Sequence, residues 1–408
     1  MTEPARLPGR QLALFASLYA VQGVVVAYLL NYNKRYMIEA GVDDRTVALV
    51  QTAVLLTLVL KFLLGPLSDR VSPFGLGHRR PYIVAGLLLQ AGALGGLALV
   101  DPGSRLGLFA SLAVAAVAGL SLYDTACDGM VVDVTPGGDR SRVQGALMVA
   151  RALATMICTL GFGRWVDATG LGPGRSEGVL WACAALGLLP LALALRCREP
   201  ARAEVAGDGP FRWSALRGML RPRALALLAF GTAYGIVGLG VEFNLPLFYG
   251  WLGFDQGDVG TLGAARYLGR AAGALALPVL GPRLGDRRRL ALGIVALAAG
   301  VWGQSTVGGR LDAGAWAFGF GVANGWLDAL FCVLAMEAAD PRMAASTFAL
   351  FMAVSNLGVA GDALFVEALS RVRRDYPVVL AAWGWLTLGL LVAIPSLTRP
   401  GKRSGEVR

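Results

Sequence analysis

Twelve runs of mainly apolar residues, each long enough to cross about 30 Å of hydrocarbon at about 1.5 Å per residue, occupy most of this 408-residue chain. They lie near 11–32, 45–66, 81–100, 106–134, 141–163 and 177–196, then near 222–249, 257–281, 289–307, 312–338, 343–366 and 376–397. Inside lipid, every backbone donor and acceptor has to be satisfied within the protein, and a run of this length does so as a helix. The expected fold is therefore all-α and integral to the membrane. Twelve transmembrane helices, numbered here 1 to 12, form two pseudo-symmetric six-helix bundles: 1–196, a linker 197–221, and 222–408.

A chain with 56% hydrophobic and 16% charged residues and a mean hydropathy of +0.59 lies outside the range of soluble domains. Its 55 glycines are dispersed through the apolar runs, where small residues let helices approach closely in lipid. The first run is about 20 residues long, contains Gln22 and lacks a small-residue cleavage site, so it reads as a retained helix rather than a secretory signal. Cys127, Cys158, Cys183, Cys197 and Cys332 show no metal-ligand spacing, and neither a disulfide framework nor a metal or other cofactor is expected. The net charge of +10 does not point to nucleic acid. Roughly 23 of the Lys and Arg residues fall on the face that holds both termini and roughly 10 on the other, the bias that marks a cytoplasmic face. Both termini are thus expected in the cytoplasm of a cell whose inner membrane the chain crosses, and a monomer is expected.

A short signature occurs twice. After helix 2 the chain reads GPLSDRVSPFGLGHRRPYI, and after helix 8 it reads GPRLGDRRRLAL. In each, Gly-Pro ends a helix, an Asp follows and arginines come next. Gly65, Asp69, Arg70, Arg79 and Arg80, with Asp286 and Arg288 in the second copy, are candidates for a gate on the cytoplasmic side. Asp133 and Glu337, which occupy corresponding places 204 residues apart at the ends of helices 4 and 10, are assigned to the same network.

Charges within the spans matter more, since one at the bilayer centre costs roughly 2.5 to 3.5 kcal/mol on insertion scales. Asp124 and Asp128 lie four residues apart on one face of helix 4, roughly 16 and 10 Å in from the cytoplasmic end. Arg151 on helix 5 lies at similar depth and is expected to meet them. Two acids for one arginine leave a spare carboxylate, a candidate proton carrier. Arg266 and Arg270, with Tyr267 beside them, line one face of helix 8 roughly 16 to 22 Å in, where they could draw an anionic solute or pair with Asp328 and Glu242. Gln22 and Tyr28 on helix 1, Glu242 and Asn244 ahead of Pro246 on helix 7, and Asn324 and Asn356 are expected along the solute path. Pro246 is expected to break helix 7. Lys61 lies near enough to the end of helix 2 to snorkel, and is left out of the path.

The doubled loop signature resembles that of the major facilitator superfamily. That resemblance implies two six-helix bundles around a central cavity, rocking between inward-open and outward-open states. Within it, YDTACDGMVVDVTPGGDRSRVQG and RMAASTFALFMAVSNLG resemble helices 4 and 11 of the group containing muropeptide permeases, folate-biopterin transporters and acetyl-CoA transporters. Tyr123 departs from that group, which usually has glutamine there. HRRPYIVAGLLLQAG is also similar to sugar-cation symporters and to pigment-assembly proteins of phototrophs. The resemblance implies proton-driven uptake of a polar, acid-bearing solute such as a muropeptide, a pterin or a siderophore. In that reading Arg266 and Arg270 hold the anion, Asp124 or Asp128 takes the proton and Arg151 restrains it. The alternatives are an exporter of drugs or metabolites, or a non-transporting assembly factor for pigment or lipid. No P-loop occurs to drive an ATP-powered cycle, and one histidine with no clustered Cys/His pattern speaks against an enzyme. The partners expected are a small-molecule substrate, protons and the lipid bilayer.

Overall fold

The computed structural model describes residues 6–73, 77–172, 174–197, 199 and 213–398. Every regular element among them is helical. Helices 1, 3, 4 and 5 run Gly9–Asn31, Arg80–Leu97, Leu106–Val134 and Arg140–Thr169. Helices 7 to 10 run Pro222–Trp251, Gln256–Leu280, Asp286–Ser305 and Arg310–Ala338. Four helices are built in pieces. Helix 2 is Asp44–Leu60 extended through a 3-10 turn, Lys61–Leu64, into Gly65–Arg70, and helix 6 is Glu177–Gly187 followed by Leu191–Arg196 beyond Pro190. Helix 11 passes from Ala344–Asn356 to Ala360–Arg371, and helix 12 from Tyr376–Gly389 to Ile394–Leu397.

Nine of these spans are long and apolar enough to cross a membrane by composition alone. Helices 3, 8 and 9 are the exceptions, diluted by Arg80-Pro81-Tyr82, by Arg266 and Arg270, and by the charged start Asp286-Arg287-Arg288-Arg289. Each is a continuous helix of 18 residues or more packed against its apolar neighbours, so all twelve expected helices are present. Most of the expected linker, 197–221, lies outside the described residues.

Two features of the packing place the charged side chains. Helices 8 and 10 cross through paired small residues, Gly269 and Gly273 on one and Gly321 and Gly325 on the other, a spacing that lets backbones touch. A Cβ at Gly325 would stand 2.7 Å from the carbonyl carbon of Arg270, and that closeness brings the arginine against Asp328 one turn further along helix 10. Helices 1 and 5 are similarly close at Gly23, where the Thr155 hydroxyl lies 3.2 Å from the Gly23 carbonyl.

Helix 7 corrects one expectation. It continues unbroken through Pro246 to Trp251. A proline removes the hydrogen bond to the carbonyl four residues earlier, here that of Glu242. Arg266 Nη1 donates to this carbonyl at 3.0 Å and so replaces the missing backbone N–H.

Candidate functional site

The two halves enclose a chamber with about 1050 Å³ of empty space, including the part open to solvent. Helices of both halves contribute side chains to its wall, and two clusters of charge face each other across it.

The first cluster is built on helix 4. Lys61 Nζ lies 2.6 Å from Asp124 Oδ2 and 3.6 Å from Asp128 Oδ2, with the lysine only 5% exposed. Tyr19 donates to Asp128 Oδ1 at 2.6 Å, and Gln22 donates to Asp124 Oδ1. The expectation that Lys61 snorkels to the surface is therefore corrected: it opens the 3-10 turn Lys61–Leu64, buried and paired with the helix 4 carboxylates. Lys61 also occupies the place expected for Arg151. Arg151 lines the chamber nearby without a bond to either aspartate.

The second cluster repeats this plan with other residues. Arg270 Nε donates to Asp328 Oδ2 at 2.7 Å, and its Nη1 reaches both Glu242 carboxylate oxygens at 3.1 and 3.0 Å. Tyr234 donates to Asp328 Oδ1 at 2.6 Å, and its hydroxyl lies 2.9 Å from Asn324 Oδ1. Each half thus places a tyrosine from its first helix, a cation from its second and a carboxylate from its fourth in one network. Burial of such ions costs several kcal/mol each unless they are paired and hydrogen-bonded, and here every carboxylate has at least two partners.

Of the expected path residues, Gln22, Asp124, Asp128, Arg151, Glu242, Arg270, Asn324, Asp328 and Asn356 line the chamber. Asn356 also bridges the halves, donating to the Leu58 carbonyl at 3.0 Å. Arg266, Tyr267, Asn244 and Tyr28 lie behind the wall. Arg266 is held by the Glu242 carbonyl and stacks over Tyr267, 5.0 Å from the ring centre. Asn244 donates to Asp362 at 3.0 Å, and Tyr28 donates to Asn33 at 3.0 Å. Lys61, Tyr19 and Tyr234 were not expected in the wall. A lysine inside the run LTLVLKFLLG was the available signal, as was the three-residue spacing of Tyr19 and Gln22.

Toward the face that carries both termini, the expected gate residues divide. Arg79, buried, lies 2.7 Å from Asp69 Oδ1 through Nη1 and 2.9 Å from Asp133 Oδ2 through Nη2. Asp69 in turn accepts from Ala345 N at 3.2 Å, from Ser346 N at 2.8 Å and from Ser346 Oγ at 2.5 Å. It therefore caps the first turn of helix 11 from the opposite half, where unsatisfied N–H groups favour a carboxylate. Gly65 is required for this contact, since a Cβ there would meet the Ser346 backbone. Arg80 gives only its backbone N–H, to Glu199 at 3.1 Å, and Arg70 is exposed.

The second copy of the signature builds no such contact. Asp286 is exposed and paired with Arg289 at 3.4 Å, Arg288 is exposed, and Glu337 meets Arg223 at 3.1 Å at the surface. The reason is register. Asp69 follows Gly65 by four residues within the same helical segment, whereas Asp286 follows Gly281 by five and opens helix 9. Among the described residues, the hydrogen bonds joining the halves run from the chamber to this face: Asn356 to Leu58, Gln144 to Met336, and Ala345 and Ser346 to Asp69.

Comparison with known proteins agrees with this architecture. The family model for the Major Facilitator Superfamily matches residues 12–361. The anhydromuropeptide permease of Escherichia coli strain K12 is 29% identical over 411 residues, covering 94% of this chain and 78% of the relative. Among solved structures, the human organic anion transporter MFSD10 superposes with a TM-score of 0.71 at 14% identity, over 95% of this chain and all of that one (100%). The E. coli fucose:proton symporter FucP superposes with a TM-score of 0.71 at 16% identity, over 95% of this chain and 98% of that one. With twelve helices, a chamber between their halves and a family match over most of its length, the chain belongs to the major facilitator superfamily and is a membrane transporter, not an enzyme.

Proposed function

We propose that this transporter carries a polar, acid-bearing solute of the anhydromuropeptide type into the cell together with protons, by alternating access across a cytoplasmic membrane. The face with both termini is the cytoplasmic one. The two six-helix units rock about the chamber, and the Asp69–Arg79–Asp133 cluster, packed on helix 11, serves as the latch of the cytoplasmic side in this reading.

The observation that carries this reading is the facing pair of tyrosine–cation–carboxylate clusters, one from each half, in a single chamber. Two acids share one lysine in the first cluster, so Asp124 or Asp128 can exchange a proton without leaving an unpaired cation behind. Lys61 rather than Arg151 restrains the pair. In the second cluster, Arg270 ties Glu242 to Asp328 and so closes helix 7 on helices 8 and 10, a linkage that can be exchanged during rocking. The relationship to an anhydromuropeptide permease supports the solute class.

The test is uptake of a labelled anhydromuropeptide into proteoliposomes under an imposed pH gradient, inside alkaline. Accumulation that a protonophore abolishes is expected. Equal uptake with and without the gradient would remove proton coupling, and no uptake of any acid-bearing probe would remove the solute class.

A further inference from the structure

Three cations line the chamber, and two of them are occupied. Lys61 is held by Asp124 and Asp128, and Arg270 by Asp328 and Glu242. The third is Arg151. Its guanidinium has no hydrogen bond and no ion pair to any described residue, although it lines the same chamber as Lys61 and Glu242. The four acids that line the chamber, Asp124, Asp128, Glu242 and Asp328, are each paired with Lys61 or Arg270.

Charged side chains in membrane-spanning segments face a partner or a cavity, and this one faces the chamber. The fold fixes its backbone. The Arg151 carbonyl accepts from Thr155 Oγ1 at 2.9 Å, and the same hydroxyl reaches the Gly23 carbonyl at 3.2 Å, so the helix 1 to helix 5 crossing fixes its backbone. Val26, Leu29, Met148 and Leu239 line the same chamber, and a charge-assisted bond is strengthened in such apolar surroundings. A planar fork of donors of this kind matches a carboxylate or phosphate in bidentate geometry.

We infer that Arg151 is the seat of the solute's anionic group, and that Arg266 and Arg270 are not. Arg270 is a structural tie between helices 7, 8 and 10, and Arg266 is spent on the carbonyl freed by Pro246. The inference deepens the transport reading and rests on it. A carboxylate docked on Arg151 lies between the two clusters and can report solute occupancy to both.

The experiment is calorimetric titration of the purified full-length protein with an anhydromuropeptide bearing free peptide carboxylates, and with the same compound amidated at those carboxylates. The variants are Arg151→Gln and Arg151→Lys. Since Arg151 has no partner to orphan, both should melt near the parent. Arg151→Gln is expected to weaken the acid form roughly ten- to hundredfold, the range for a hydrogen bond to a charged group, with little effect on the amidated form. Arg151→Lys should fall between, keeping charge but losing the fork. Loss of both forms alike, or of neither, overturns the assignment while leaving the transport reading standing. A parent protein that binds the amidated form as well as the acid overturns both.

Discussion

Replacing Lys61 with methionine tests the first cluster directly. The lysine is 5% exposed and stands 2.6 Å from one aspartate and 3.6 Å from the other, so its removal leaves two carboxylates facing each other with no cation in contact. Breaking a buried ion pair by deleting one partner costs about 3–5 kcal/mol. For a chain of 408 residues unfolding as one unit, an unfolding entropy of about 2.1 cal/mol/K per residue turns that into a melting-point loss of about 4–6 °C. The double variant Lys61→Met with Asp124→Asn brings the cluster back to its original net charge of minus one, with Asp128 still held by Tyr19. It should recover at least half of the loss, a coupling in the range of about 1–3 kcal/mol expected of neighbours in one network. Thermal unfolding of the four proteins in one detergent closes the cycle. If Lys61→Met melted within a degree of the parent and the double variant no higher, the lysine would not be holding the pair, and the structural account of this cluster would be wrong.

Three further outcomes follow from the geometry. Arg266→Ala should destabilise by about 1–3 kcal/mol because the Glu242 carbonyl loses its donor, and Pro246→Ala in the same chain should restore much of it by returning the backbone N–H; unfolding midpoints decide this. Gly65→Val should cost about 1–3 kcal/mol through collision with the Ser346 backbone and should slow uptake, whereas Gly285→Ala, with open space around it, should do neither. Arg79→Ala leaves Asp69 and Asp133 buried without their shared guanidinium, so maleimide labelling of Ala345→Cys in a cysteine-free chain should rise at least severalfold as the closed face loosens; unchanged labelling would deny the latch its role.

The spans themselves could be read from the chain with little error, because twenty apolar residues in lipid permit only one backbone solution. Helix 4, expected at 106–134, is found at Leu106–Val134, and helix 7 runs only two residues past its expected end at 249. Side-chain partnerships were less legible. Lys61 sits a few residues from a helix end, where snorkelling and inward pairing are indistinguishable by depth; the carboxylates that hold it inward lie on helix 4, more than sixty residues away. Pro246 misled for a related reason. The residue that repairs its gap, Arg266, comes twenty residues later on another helix, and nothing local announces it. The doubled loop signature was visible, but one extra residue before Asp286 turns the second copy away from the opposite half. The chamber's polar side chains were mostly identified, since nothing but a wet path or a partner accounts for Asp124, Asp128, Glu242, Arg270 and Asp328 in apolar runs. Which cation served which acid was decided by helix crossings at glycines, below the resolution of any periodicity.

The central claim is that acid-bearing solute and protons share one chamber. Proteoliposomes loaded with a pH-sensitive dye, with equal pH on both sides, can be given an inward gradient of anhydromuropeptide alone. The account requires the lumen to acidify as solute enters, and requires the Asp124→Asn, Asp128→Asn double variant to lose that acidification. Solute entry at the parent rate with no change in luminal pH, or acidification that persists in the double variant, would contradict it.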